Sequence, residues 1–260
     1  MDAEPAEVGV EQENSEYLSP HSVLFNGAKA IVCTPIWSEM DACCYETLTI
    51  CMSRFSRSQV KWMGHTKTNV YEARNRLATR FLRTDAEWMI FIDGDMALPC
   101  GDAAFFKAHF KRPDLPDSCC SMNAIERIIS WPSHALVAGA SYMDRIFGTQ
   151  MQNSLGTGSH KQTGASERWK NGGYGGLQEI LWVATGCMRI HRSVFQTLWD
   201  NRARFPEIVP AKEGGIVGFF HPQKVGVGED VSFCNRVRAC GIKVYWDAGM
   251  RLLHHGEYYF

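Results

Sequence analysis

The chain has 260 residues, enough to bury a sizeable core without disulfide or metal staples. Apolar residues make up 45% and charged residues 21%, and 27 Lys and Arg stand against 28 Asp and Glu, a net charge of −1. That balance excludes a histone-like nucleic-acid coat and an acidic solvating chain. Residues 1–26 are acidic and poor in apolar side chains, and are predicted to be a flexible tail. They hold Asp2, Glu4, Glu7, Glu11, Glu13 and Glu16, so residues 27–260 carry 27 bases and 22 acids, a net +5. Within them Arg54–Arg83 is densest, with eight bases and the single acid Glu72.

Ordered sequence starts at Lys29. The run Ala30–Thr34, stopped by Pro35, reads as a buried strand. Asp41–Phe55 has helical character, with Leu48, Cys51, Met52 and Phe55 on one face, and Val60–Gly64 is a second strand. Asn69 is placed to cap a helix, with Glu72 three residues on to close a capping box, and Val70, Ala73, Leu77 and Phe81 form its buried face. Trp88–Ile92 is the clearest strand and runs straight into Asp93-Gly94-Asp95. Residues 113–134, with three prolines and a Cys pair, read as an insertion; Ala135–Ala140 reads as a strand. The stretch 148–176 has eight glycines and reads as a mobile functional loop. Leu181–Ala184 (strand), Arg192–Trp199 (helix), Asp230–Cys240 (helix, stopped by Gly241) and Ile242–Trp246 (strand) complete the chain. Strands alternating with helices at this spacing predict an α/β fold, a mainly parallel sheet flanked by helices.

Ten cysteines lie scattered, two pairs of them adjacent (Cys43–Cys44 and Cys119–Cys120), with no C-x-x-C or zinc-ligand spacing. They read as reduced, buried thiols. No secretory leader and no apolar run of membrane-spanning length is visible, so a cytoplasmic protein without a membrane span is expected.

Four groups of residues could carry chemistry. Ligands of open α/β sheets sit beyond the carboxyl ends of the strands, where Asp93 and Asp95 fall, and two carboxylates flanking a glycine can hold a hard divalent cation. Such a cation could bind a diphosphate and stabilise it as it leaves. The plainer reading is an Asp-Gly turn bonded to its own backbone. Glu229 and Asp230 follow Gly226-Val227-Gly228 and open a helix. An acid there can take a proton from an attacking hydroxyl, or merely cap the helix. His254 or His255, after the last strand, could add nitrogen to a metal site, which favours Mn²⁺ over Mg²⁺, or be an ordinary core or surface histidine. Arg74, next to Ala73 near its helix start, could reach a phosphate or a base edge, whereas Arg76, Arg80 and Arg83 read as solvated.

These pieces, in this order, resemble a nucleotide-sugar glycosyltransferase of the GT-A (Rossmann-like) fold, most like compact bacterial and phage enzymes related to the large inverting family. Cys33-Thr34-Pro35 resembles the nucleotide-contacting first strand, Glu72-Ala73-Arg74-Asn75 the Ala-Arg-Asn segment, and Phe91-Ile92-Asp93-Gly94-Asp95 the metal motif. Val137-Ala138-Gly139 with Tyr142 and Arg145 resembles the next strand, and Ala184-Thr185-Gly186-Cys187-Met188 the Thr-Gly segment near the acceptor. Gly228-Glu229-Asp230 matches the motif whose second acid is the base of inverting members, and His254 sits where a third metal ligand is expected.

The resemblance implies a single domain over 27–260, with a nucleotide-sugar half at about 27–112 and an acceptor half at about 135–260. It implies metal ligation by Asp93, Asp95 and His254, and nucleotide contacts from Thr34, Pro35, Arg74, Asp93 and Gly94. Asp230 would be the catalytic base and Glu229 would position the acceptor. Mn²⁺ or Mg²⁺ and a UDP-sugar donor are the implied cofactor and substrate. The acceptor would be a saccharide or, given the basic window and a phage-like enzyme in host cytoplasm, hydroxymethylated DNA. A non-catalytic nucleotide-sugar or nucleic-acid binding module on the same fold is the alternative.

Overall fold

The apolar run at the start of the domain forms β1 (Ala30–Ile36), every residue of which is buried. Alternation divides it: Ile31 and Cys33 pack on one face of the sheet, Ala30 and Val32 on the other. A strand apolar on both faces belongs in the middle of a sheet covered by helices on both sides. The computed structural model bears this out over the residues it describes, namely 27–56, 59–109, 113, 117–143, 146–147, 150–151, 158–159, 166–167, 177–208 and 215–254. The tail 1–26, most of the 148–176 stretch, Arg145 and His255 lie outside them.

In chain order the elements are β1, α1 (Ala42–Met52), β2 (Val60–Thr66), α2 (Val70–Leu82), β3 (Trp88–Ile92), β4 (Met96–Ala97), α3 (Ala103–His109), α4 (Asp117–Cys120), α5 (Ala124–Ser130) and β5 (Val137–Met143). The hairpins β6–β7 (Ile146–Phe147 with Gln150–Met151) and β8–β9 (Gly158–Ser159 with Ser166–Glu167) follow. Then come β10 (Leu177–Ile180), β11 (Cys187–His191), α6 (Arg192–Asp200), a 3₁₀ turn at Arg202–Arg204, α7 (Glu229–Ala239) and β12 (Val244–His254).

The main sheet runs β10-β12-β5-β11-β3-β1-β2, with β4 added beside β12. The pairings make β2, β1, β3, β5 and β12 run one way and β11 and β10 the other. This is the mainly parallel, helix-flanked α/β sheet that the sequence predicts. One face packs against α2, α6 and α7 through Leu77, Phe81, Phe195 and Phe233, with Phe219 and Phe220 of the segment before α7 in the same cluster. The other packs against α1 and α5 through Leu48, Cys51, Ala124, Ile125 and Ile128.

The structure corrects several sequence expectations. The stretch 113–134 is no mere insertion: α5 is capped by the Asn123 side chain, which accepts from Glu126 N, and it buries Ala124, Ile125 and Ile128. The strand expected at Leu181–Ala184 falls instead at β10, and a further strand, β11, lies antiparallel between β3 and β5. Asn69 caps α2 as expected, yet Glu72 turns to Arg76, whose Nε donates to Glu72 Oε1 at 3.0 Å, instead of closing a capping box. Val70 is 41% exposed, so the buried face of α2 starts at Ala73. The last strand continues to His254, with an irregularity between Asp247 and Arg251.

Candidate active site

Three connections bring the candidate residues together at the carboxyl edge of the parallel strands. β3 ends at Ile92 and hands over to Asp93-Gly94-Asp95, where Asp93 N donates to the Gly186 carbonyl at 3.1 Å. The chain then turns into β4, which pairs with the end of β12 in a register that sets His254 opposite Met96. That register puts the His254 ring beside Asp95, with Nε2 and Oδ2 2.9 Å apart. α2 starts at Val70 and α7 at Glu229; both cover the same sheet face, so Arg74 reaches the acids at both β3 and α7.

Arg74 is the centre of this arrangement. Its side chain is 2% exposed. Nη2 donates to both carboxylate oxygens of Asp93, each at 2.8 Å, and Nη1 donates to Glu229 Oε1. Burial alone would lower its pKa, but Asp93 and Glu229 more than offset that and hold it above its usual range. Asp93 is pushed upward by burial and by Asp95, with Arg74 and His254 opposing. Asp230 is also raised, first by burial and then by Glu229, while the Val231 N–H and Arg74 pull it down. Its Oδ1 accepts from Val231 N at 2.7 Å.

The other predicted residues sit around this cluster. Thr34 and Pro35 are buried at the end of β1, and the Thr34 hydroxyl accepts from Trp62 Nε1 at 2.8 Å. Gly94 lies against them: a Cβ there would be 3.5 Å from the Pro35 carbonyl oxygen. The structure thus gathers Arg74, Asp93, Glu229 and Asp230 in one electrostatic cluster and Asp95 with His254 in contact beside it. Arg74, read from sequence as able to reach a phosphate or a base edge, is bonded here to two carboxylates.

Do these residues suit a divalent cation? Among the described residues no group of three His, Cys, Asp or Glu side chains is arranged to hold one, because Asp93 faces Arg74 while Asp95 faces His254. The donor chemistry nevertheless fits. Asp93, Asp95, Glu229 and Asp230 are four neighbouring carboxylates, and Arg74 is their ion-pair partner in Asp93 and Glu229. Oxygen donors with one imidazole suit Mn²⁺ or a similar ion.

A buried acid outside the sequence reading is Asp247. It takes both Arg127 Nε and Nη2, at 2.7 and 2.8 Å, and the Trp131 indole N–H at 2.8 Å. The signal was available as Asp247-Ala248-Gly249 after an apolar run. These partners fasten α5 to the irregularity in β12, a structural role. The nine cysteines whose side chains are described are free, and burial raises Cys33, Cys44, Cys51, Cys187 and Cys234, which fits unreactive thiols.

No protein-family model and no curated protein matches the sequence. Among solved structures, the chain is similar to A197 from STIV, at 12% identity and a TM-score of 0.45, over 89% of this chain and 96% of that one. It is similar to GalNAc-T7 crystallised with UDP, GalNAc and Mn²⁺, at 10% identity and a TM-score of 0.45, over 87% of this chain and 44% of that one. A glycosyltransferase involved in glycosylating the major capsid of PBCV-1 matches at 10% identity and a TM-score of 0.28, over 68% of this chain and 69% of that one. At these identities and scores the likenesses bear on neither substrate nor mechanism, and the fold rests on its own strand order and register.

Proposed function

We propose that the chain is a metal-dependent glycosyltransferase that moves a sugar from a nucleotide-sugar to an acceptor hydroxyl with inversion. The observation that carries this reading is one shared guanidinium. Arg74 holds the first acid of the D-x-D segment and the first acid of Glu229-Asp230, two motifs far apart in sequence. Both motifs therefore face one site at the carboxyl edge of the sheet, where open α/β sheets bind ligands. The resemblance of the motifs makes a UDP-sugar the donor.

In this reading Asp95 and His254, with Asp93, would hold Mn²⁺ or Mg²⁺. Bound there, the cation supplies countercharge to the departing diphosphate. Thr34, Pro35 and Gly94, which lie together where β1 and β3 end, would contact the nucleotide. Asp230 accepts the proton of the acceptor hydroxyl as that oxygen attacks the anomeric carbon and the bond from sugar to phosphate breaks on the opposite face. Burial raises its pKa, which suits a proton acceptor. Glu229, held by Arg74, fixes the first turn of α7 and so the place from which Asp230 works.

Of the two acceptors, a saccharide is the one we favour. Among the described residues, several bases of the 54–83 window are held by local partners. Arg74 is spent on acids, Arg76 on Glu72, and Arg80 donates to the Gly64 carbonyl, while Arg54 lies over Gly101.

The test is hydrolysis of a panel of sugar nucleotides with and without Mn²⁺. Turnover on a UDP-sugar is expected, with loss on chelation and in Asp95→Ala. Turnover that survives both removes the metal from the reading.

A further inference from the structure

The position of Arg74 assigns it a role that its sequence context does not. We propose that Arg74 is a positioning residue that competes with the divalent cation for Asp93 and, when displaced, fixes Glu229 and with it the start of α7. The inference rests on the metal-dependent reading above.

The first observation is how the guanidinium divides its donors. Nη2 takes both oxygens of Asp93 and Nη1 takes Glu229. A planar fork of this kind cannot slide toward one carboxylate without loosening the other. A cation seated at Asp95 and His254 would reach Asp93 only through oxygens that Arg74 now occupies. Two positive groups sharing one carboxylate repel each other, and more strongly in a buried site than in water.

The second observation is the third donor edge. The Nε–H of Arg74 is buried without a hydrogen-bond partner. A buried N–H left unmade is costly, so the present seating of the guanidinium is not its best-satisfied one. Withdrawal from Asp93 gives up the two Nη2 bonds but allows a seating in which the Nε–H gains a partner. Once withdrawn, Arg74 still has Glu229 as a partner, and Asp230 stands near. Cation occupancy and the setting of α7 are in this way linked, and the linkage is reciprocal: whatever strengthens the hold of Arg74 on Glu229 tightens cation binding.

Mn²⁺ affinity, read by the electron paramagnetic resonance of free Mn²⁺, tests this apart from turnover. Arg74→Met is expected to bind Mn²⁺ about tenfold more tightly while its turnover at saturating Mn²⁺ falls. Arg74→Lys keeps the charge but cannot bridge two carboxylates, and should lie between Arg74→Met and the wild type. Glu229→Gln removes the charge that draws Arg74 away from Asp93, so Mn²⁺ binding should weaken by about fivefold or more. Asp230→Asn removes the same charge without touching the fork and should change affinity less than about twofold.

A residue that served stability alone would not raise metal affinity and lower turnover together. Affinity at or below wild type in both Arg74 variants, or equal losses in Glu229→Gln and Asp230→Asn, overturns the inference and leaves the metal reading standing. Absence of Mn²⁺ binding by the wild type removes both. Should Arg74→Met not fold, Arg74→Lys and Glu229→Gln decide the matter.

Discussion

The role proposed for Asp230 as catalytic base asks two conflicting things of it. A general base works best with a pKa above the ordinary carboxylate range, and burial with Glu229 alongside provides that. The same surroundings make its ionised form unwelcome in the fold. With the folded pKa above the unfolded one, its contribution to stability is full below the unfolded value and is lost as pH rises through the folded value. Ionising the acid thus weakens the protein, the trade a catalytic role would make. Asp230→Asn is expected to cut turnover by about 10²–10⁴-fold and to raise the melting temperature at pH 7.5. The gain should vanish below about pH 4, where the native acid is protonated in both states. Thermal melts of the two proteins at both pH values check this. A lower melting temperature for the variant at neutral pH would make Asp230 a helix-capping acid.

Elements differed in how plainly the sequence announced them. β3 was legible to the residue because Trp88–Ile92 is apolar throughout and an Asp-Gly pair stops it. α2 was legible through Asn69 and its apolar spacing, and α7 through Gly241, whose φ of 78° ends the chain segment as expected. β11 was not legible, and Arg189 is the reason. A charge between Met188 and Ile190 breaks the apolar pattern of a buried strand, yet Arg189 is fully interior. Its solvent is the peptide backbone: Nη1 donates to the carbonyls of Ile128 and Trp131 at 3.0 and 2.9 Å, and Nη2 to Pro132 and Ala135 at 2.9 and 3.1 Å. The guanidinium also lies 4.0 Å from the centre of the Trp88 ring. Burial lowers its pKa to about 10, still charged at neutral pH. Ile128 and Trp131 stand at the end of α5, and Pro132 and Ala135 in the connection to β5, so the helix and the strand that escaped the sequence reading depend on one another. Arg189→Met, which keeps much of the volume, strands those carbonyls and should cost roughly 3 kcal/mol in urea unfolding. A loss under about 0.5 kcal/mol would mean that water or other donors serve the end of α5.

At the scale of the whole molecule, charge arithmetic was informative in total and misleading in detail. The net −1 of the chain and the +5 of residues 27–260 are sums over a line, whereas a partner meets a surface. Three arginines of the densest basic window are engaged locally: one goes to the acids at the sheet edge, one to its own helix neighbour and one to a strand carbonyl. What the carboxyl edge gathers is acid, with Asp93, Asp95, Glu229 and Asp230 together. A phosphate backbone approaching that edge meets like charge unless a cation intervenes, and contacts to DNA phosphates need a row of unspent Lys and Arg. Duplex DNA containing hydroxymethylated pyrimidine is therefore expected to show no retarded band with the protein at 150 mM salt, about the physiological value. It should compete weakly, if at all, with saccharide acceptors in a transfer assay. Residues 148–176, with Lys161, Arg168 and Lys170, give the opposite result a clear form. Binding at 50 mM salt that weakens steeply by 200 mM, with a log–log slope of several units that falls by about one for each base replaced, is that result. Such a slope would overturn the saccharide assignment and move the acceptor to nucleic acid, leaving the roles of Asp95, His254 and Asp230 to be judged by their own tests.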